Sequence, residues 1–286
     1  MKTDISYLKS WVGKFEERFN KISPEPMAGL AATLDRSDDL DPKIGDPVPP
    51  AGHWLYFLPV HPMSDLGSDG HGKRGGFLPP VDLPHRMWAG GRIEFLGQLR
   101  IGDTARRVST IKSVSHKRGK SGDLVFVVVE HQIFSQGCLA ISEEHDIVYR
   151  DSSSPQQNSL PDKPAPTGAL WTRTVKPDPI LLFRYSALTF NSHRIHYDLA
   201  YATKKEGYSG LIVHGPLIAT LLMDLCCRES SKMSLTGFNY RAVSPIFDTG
   251  PFSVNGSPSE DGTQATMWAT TNTGGLAMRA EAEFGR

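Results

Sequence analysis

Gly210-Leu-Ile-Val-His-Gly-Pro-Leu-Ile-Ala-Thr-Leu-Leu-Met-Asp-Leu-Cys-Cys-Arg-Glu-Ser230 is the stretch that decides the fold. From Leu217 to Cys227 only Thr220 and Asp224 are polar, so a helix here is apolar around almost its whole circumference. Helices of that kind are buried on nearly all sides. Pro216 fits the first helical position, with Gly215 before it as a small N-cap. The cover for this helix must come from the rest of the chain. Residues 235–286 offer it as alternating strands and turns: TGFNYRAVSPIF, GPFSVNGSPSEDG, TQATMWATTNTGG and LAMRAEAEF. Upstream, LLFRYSALTF (181–190) has strand composition, and NSHRIHYDLAYATKKEG reads as a short helix with an exit turn at Gly207. One buried helix inside a curved antiparallel sheet satisfies these signals together.

Further towards the N-terminus the texture changes twice. Residues 151–168, DSSSPQQNSLPDKPAPTG, form a polar linker and the clearest boundary. Residues 91–150 read as strands, with short runs of Val and Ile and a turn at Gly119–Asp123. Residues 41–90 are dense in Pro and Gly, which opposes regular elements and predicts an ordered, functional loop. At the start, Ile5, Leu8, Val12, Phe15 and Phe19 recur at helical spacing and predict an amphipathic helix.

Composition excludes several classes. Lys+Arg and Asp+Glu both number 31, so no global basic field attracts nucleic acid or a membrane surface. An anionic ligand must then be held by local groups. Cys138, Cys226 and Cys227 give neither a disulfide framework nor a spaced metal set, and fit a reducing compartment. The first residues lack the apolar core of a secretory signal, and no stretch approaches the ~18 apolar residues of a membrane span. The expectation is a soluble, cytoplasmic protein.

Chemistry concentrates in Asn191-Ser-His193-Arg-Ile-His196-Tyr-Asp198. An amide, two imidazoles and a carboxylate within eight residues can orient water and move protons near neutral pH. His193 and His196, three apart, share a face if both are helical. The bland alternative is a histidine that caps backbone at the junction. A metal held by His193, His196 and Asp198 is a weaker option, because the spacing is not that of a zinc-binding helix.

The order FRYSALTFNSHRIHYD then GLIVHGPLIATLL resembles the MaoC-like, or hydratase 2, family of hot-dog enzymes. Its motif runs hydroxyl residue, Gly, Asp, any residue, Asn, Pro, aliphatic residue, His. Thr189 takes the hydroxyl position, Asn191 the Asp position, His193 the Asn position and His196 the His position. Phe190 stands for Gly, Asn191 for the acid and Arg194 for Pro. The variant FNSHRIHYD, together with RMWAGGRIEF at 86–95, resembles the subgroup of mesaconyl-C4-CoA and itaconyl-CoA hydratases, close to type 2 hydroxyacyl thioester dehydratases. That resemblance runs over nearly the whole chain from about Leu40.

The resemblance implies an α+β double hot-dog, each half an antiparallel sheet wrapped around a central helix. Residues 1–150 form the N-terminal half with its helical entry and loop, 151–170 the linker, and 171–286 the catalytic half. It implies a hydro-lyase that adds or removes water across the double bond of a short enoyl-CoA. His196 is the expected acid/base group, with Asn191, Asp198 and His193 around the water, and Gly215 offers its N–H to the thioester oxygen. Arg86, Arg92 and Arg194 are candidates for a substrate carboxylate, and Trp88 and Tyr185 for the walls of a substrate slot. No metal or redox cofactor is expected, since coenzyme A belongs to the substrate, and a homodimer is implied. Rival readings are a 3-hydroxyacyl-ACP dehydratase, a hot-dog thioesterase and a non-catalytic acyl-thioester-binding protein.

Overall fold

The computed structural model describes residues 4–119, 122–151, 163–230 and 233–285. Ten strands hydrogen-bond into one antiparallel sheet. Five come from the first half of the chain: β1 (Phe15–Lys21), β2 (His85–Phe95), β3 (Thr104–Gly119), β4 (Gly122–Ser135) and β5 (Cys138–Arg150). The other five are β6 (Trp171–Val175), β7 (Ser234–Ala242), β8 (Phe252–Pro258), β9 (Gln264–Thr270) and β10 (Leu276–Gly285). Their order is β1-β3-β4-β5-β2-β7-β10-β9-β8-β6, so each half of the chain fills one side of the sheet. Most of the linker, residues 152–162, lies outside the described residues.

The seam between the halves is the pairing of β2 with β7, where Gly90 faces Arg241 and Ile93 faces Phe238. Gly90 and Gly91 make this seam possible. A Cβ at Gly91 would lie 2.4 Å from the Glu144 carbonyl oxygen, and one at Gly90 would lie 2.5 Å from that of Tyr240. A bulge between Trp88 and Gly90 re-aims Trp88 just before the seam.

The apolar run becomes α4 (Gly215–Glu229), buried continuously from Leu217 to Cys226 and packed against β6, β7, β8, β9 and β10. This is the central helix of the C-terminal half. Its N-cap is His214 and not Gly215, which is already helical; Pro216 fixes the first turn either way. The buried acid Asp224 is satisfied by three arginines. Arg36 reaches it from the N-terminal half, Arg173 from β6 at 2.8 Å, and Arg228 from the next turn at 2.7 Å. A buried carboxylate without such partners would be strongly destabilising.

The N-terminal half encloses something shorter. A 3-10 turn at Gly52–Leu55 lies on the sheet, with His53 Nε2 3.0 Å from Glu143 of β5. Behind it packs α2 (Pro24–Thr33), whose Met27 Sδ is 3.0 Å from where a Cβ on Gly52 would be. Prolines in 41–84 prevent a longer helix there.

Two sequence expectations are corrected. The first helix does not run to Phe19: α1 spans only Ile5–Lys9, and Phe15 and Phe19 lie in edge strand β1, both exposed. Gly13, at φ +85, breaks the helix between them. Residues 181–188 are helix and not strand, because Asp178 caps the N–H groups of Ile180 and Leu181 and Pro179 starts α3 (Pro179–Leu188). α3 packs on α2, and its buried Leu182 and Tyr185 lie in the same core as α4.

Candidate active site

The chain leaves α3 through Phe190 at φ +49, a left-handed conformation that favours glycine. The resembling motif has Gly at this position, so the backbone shape is kept although the residue is not. Asn191 follows, and its Oδ1 accepts the N–H of His193 at 3.0 Å while its own N–H donates to Ser186. The amide that stands for the family's acid is therefore occupied in a local turn.

A 3-10 turn at Arg194–His196 then delivers His196 into the interior. Its Nδ1 lies 2.7 Å from the carbonyl oxygen of Ile212. A carbonyl only accepts, so Nδ1 carries the hydrogen and Nε2 presents a lone pair. His196 stacks on His214, with centroids 3.6 Å apart and 18° between planes. His214 Nε2 is 2.8 Å from Ser186 Oγ. On the other side His193 stands edge-on to His196 at 5.4 Å, and His71 lies 4.0 Å from His193. Four imidazoles thus form a row: His71, His193, His196, His214.

Burial keeps these rings neutral. It pushes His196 down to about 4 against the opposing Ile212 carbonyl, and His193 down to about 2 with help from His71 and His196. His214 is also held well below the usual histidine range by burial. Neutral imidazoles with free lone pairs suit the binding and deprotonation of water.

His71 comes from the Pro/Gly-rich loop. An isolated bridge between Leu66 and Gly72 closes its neck. Gly70, at φ +90, lets the loop lie against the histidine segment, since a Cβ there would be 1.9 Å from the Ser192 carbonyl oxygen. Ser192 Oγ donates to the Gly70 carbonyl at 2.6 Å, and Arg194 N–H donates to that of Asp69 at 2.9 Å. Asp69 holds His71 twice: Oδ2 is 3.0 Å from Nδ1, and Oδ1 accepts the His71 backbone N–H at 3.0 Å. Burial raises the Asp69 carboxyl, but these hydrogen bonds outweigh it and hold the group well below the usual range. Asp69, His71 and His193 also offer donor atoms within 4.8 Å of one another, near enough to share a cation.

The other wall is aromatic. Trp88 stacks on Tyr240 at 4.7 Å, and Trp54 meets Trp88 edge-on at 5.8 Å. Trp54 is fixed by its Nε1–H, which donates to the buried Glu143 at 2.7 Å. A Cβ at Gly215 would lie 3.0 Å from Trp88 Cε3, so glycine is needed where α4 begins. The first N–H groups of a helix have no partner within it and carry positive potential.

The structure separates the candidates proposed from sequence. His193 and His196 come together. Arg86 is half-buried, and its positive charge reaches His71 and His193. No carboxylate lies within 4.0 Å of Arg86 among the described residues. Arg92 lies elsewhere, 45% exposed and paired with Glu144 and Asp146. Arg194 is paired with Asp198 at 2.7 Å and donates to the Ser68 carbonyl. Asp198 is fully engaged: Oδ1 accepts the Tyr201 N–H and Oδ2 accepts from Arg194, both of which lower its pKa. Tyr185 is buried beneath His214, its hydroxyl 3.3 Å from Thr220. Sequence reasoning missed Asp69, His71, Ser186 and His214. Asp69-Gly-His71 inside a Pro/Gly-rich loop was a usable signal for the first two; no spacing pointed to the last two.

Fold and site together define a double hot-dog protein built for acyl-thioester hydration chemistry. The family model described as hydroxyacyl-thioester dehydratase type 2 matches residues 51–248, and the chain belongs to that family, an enzyme of the hydro-lyase class. It is 46% identical over 276 residues to a mesaconyl-C(4)-CoA hydratase of Chloroflexus aurantiacus, covering 96% of this chain and 97% of that one. It is 30% identical to the mitochondrial type 2 hydroxyacyl-thioester dehydratase of Schizosaccharomyces pombe, over 82% of this chain and 87% of that one. Among solved structures, a MaoC-like dehydratase of Phytophthora capsici shares the fold with a TM-score of 0.67 at 13% identity, over 99% of each chain. A Mycobacterium tuberculosis protein described as having a double hotdog fold matches with a TM-score of 0.57 at 12% identity, over 96% of each chain.

Proposed function

We propose that the chain adds water across the double bond of mesaconyl-C4-CoA, with itaconyl-CoA as the nearest alternative substrate. The observation that carries the substrate class is Arg86, a half-buried guanidinium whose charge is felt at His71 and His193 and which pairs with no carboxylate among the described residues. Mesaconyl-C4-CoA bears a free carboxylate on the carbon that receives the hydroxyl. A cation next to the water-binding imidazoles is what that carboxylate needs, and arginine binds it in a bidentate fashion. The similarity to the Chloroflexus enzyme supports the same reading.

In this reading His196 holds and orients the attacking water through Nε2, with His193 beside it. The N–H of Gly215 faces the thioester oxygen as it gains charge, a contact typically worth ~10²–10³ in rate. The phosphates of coenzyme A are assigned to the surface pocket of about 600 Å³ next to the histidine segment, where Lys204 and Lys205 supply positive charge beside the Arg194–Asp198 pair. Coenzyme A enters as part of the substrate, and no other cofactor is invoked. A cytoplasmic homodimer completes the reading, with the three free thiols in keeping with a reducing compartment.

The test compares mesaconyl-C4-CoA, itaconyl-CoA and crotonyl-CoA on the parent chain and on Arg86→Met, following enoyl absorbance and free thiol. The expected result is hydration without thiol release. Arg86→Met should lower kcat/KM for mesaconyl-C4-CoA by about 10–100-fold, the value of a charged hydrogen-bonded contact. Crotonyl-CoA, which has no such carboxylate, should change only a few-fold. Equal loss on both substrates would contradict the assignment of Arg86, and thiol release would make the protein a thioesterase.

A further inference from the structure

Asn191 stands where the resembling motif has an acid, and its side-chain oxygen is engaged by the backbone N–H of His193. Asp198 is spent on Arg194 and Tyr201. His196 is backed at Nδ1 by a carbonyl oxygen, and no carboxylate is paired with it among the described residues. A carbonyl stabilises an imidazolium much less than a carboxylate does. The residues of the catalytic segment therefore leave the proton of the attacking water without a well-supported destination.

The geometry points to Asp69 and His71 as the missing pair: His71 is a second proton-transfer residue of the site, and Asp69 is its positioning residue. Both come from the N-terminal half and are docked on the catalytic segment by backbone contacts. The Arg194 N–H donates to the Asp69 carbonyl, and Ser192 Oγ donates to the Gly70 carbonyl. Asp69 Oδ2 accepts from His71 Nδ1–H, so the lone pair of His71 is at Nε2. The ring lies 4.0 Å from that of His193, which in turn lies 5.4 Å from that of His196. A carboxylate holding an imidazole in one tautomer and bearing its charge is the arrangement used to activate nucleophiles in unrelated hydrolases.

The proton is accounted for within the proposed hydration. Water is held by Nε2 of His196. As its oxygen bonds to Cβ, the double-bond electron pair moves to Cα and the thioester oxygen, and one water proton passes to Nε2 of His71. The His71 imidazolium that results is stabilised by the Asp69 carboxylate at its Nδ1–H. The same proton then moves from His71 to Cα, so one water is consumed and His71 returns to its starting form. Dehydration is the reverse sequence.

The groups facing His71 fit the role of base. Burial lowers its proton affinity; Asp69 opposes this, while Arg86 from β2 and Arg74 from its own loop reinforce it. His193 and His196 face it from the catalytic segment, and both are themselves lowered in part by its charge. His61 packs on the adjacent Gly72. The ring is neutral and ready to accept at neutral pH.

This inference rests on the hydration reading, but not on which acyl group is used. Asp69→Asn, Asp69→Glu and His71→Gln are compared with the parent in the full-length chain, using both mesaconyl-C4-CoA and crotonyl-CoA. Asp69→Asn should lower kcat about 10²-fold, in the range of general-base catalysis, with KM within a few-fold. The base must be neutral to act, so rate is lost as pH falls through its pKa. Asp69 raises that pKa, so Asp69→Asn should move the acid limb of the kcat profile to lower pH. Asp69→Glu should restore part of both effects, and His71→Gln should abolish the His71 limb. Histidine NMR titration of His71 in folded Asp69→Asn should show the same downward shift.

Rates within a few-fold of the parent, or an equal loss with an unmoved limb, would overturn the assignment. So would a parent that loses activity to a chelator and regains it with Zn²⁺, since the cluster would then be a cation site. If crotonyl-CoA turns over and mesaconyl-C4-CoA does not, only the substrate reading fails. If neither turns over, both fall.

Discussion

His196 and His214 are stacked at 3.6 Å inside the protein and neither carries charge at neutral pH. Their neutrality has a measurable consequence for stability. In the unfolded chain each histidine takes up a proton near pH 6.5, whereas in the folded chain His196 resists until about 4 and His193 until about 2. Below pH 6.5 the unfolded state binds more protons, so stability present above that pH is lost as pH falls. Each such residue contributes a slope of at most about 1.4 kcal/mol per pH unit. The melting temperature should fall by several degrees between about pH 7 and pH 5, and less so in His214→Phe, which removes one of the groups. A melting temperature independent of pH over that range would contradict the neutral row. At this scale the sequence was half informative. His193 and His196 announce themselves by spacing, but His214 reads as part of an apolar run and Ser186 as part of a strand. Their pairing at 2.8 Å joins α3 to the residue that caps α4, 28 positions further along the chain, a long-range fact.

At the scale of elements, α4 was legible because eleven almost wholly apolar residues leave only one environment open to them. α3 was misread because Leu181–Phe190 has the apolar and aromatic content of a strand; its cap at Asp178 and Pro179 lay just outside the window considered. The first helix was overextended because Phe15 and Phe19 satisfy helical spacing and strand alternation alike: both lie on one side of β1. The loop from Leu66 to Gly72 was expected to be functional, though no periodicity can say what a loop docks against. Its docking depends on Gly70 more than on any other side-chain position. Gly70→Ala would force a Cβ to within 1.9 Å of a backbone oxygen, so the loop must shift away from Ser192. Displacing a reacting group by about 1 Å can cost ~10²-fold in rate. The variant should therefore lose at least about 10-fold in kcat while its melting temperature changes by only a few degrees, because surface loops open without global unfolding. Full activity in Gly70→Ala would show that the docked loop is dispensable.

The whole molecule explains why two halves are needed. The C-terminal half carries α4, the His193–His196 segment and Gly215. The N-terminal half supplies Trp88 and Arg86 from β2, and Asp69 and His71 from the loop. The β2–β7 seam, made passable by Gly90 and Gly91, brings these sets together. Asp224 adds a second tie, since Arg36 crosses from the N-terminal half to reach it. Residues 1–150 thus place Asp69 and His71 against the His193–Arg194 segment, and Trp88 against the start of α4.

The account stands on water addition at the imidazole row, and one measurement addresses that directly. Mesaconyl-C4-CoA is incubated with the parent chain and with His196→Ala in ¹⁸O-labelled water, and the product is followed by mass spectrometry. The account predicts a product that gains one labelled water with its thioester intact, formed at least about 10²-fold more slowly by His196→Ala. Label incorporated at the parent rate by His196→Ala, or a free acid in place of the hydrated thioester, would contradict it.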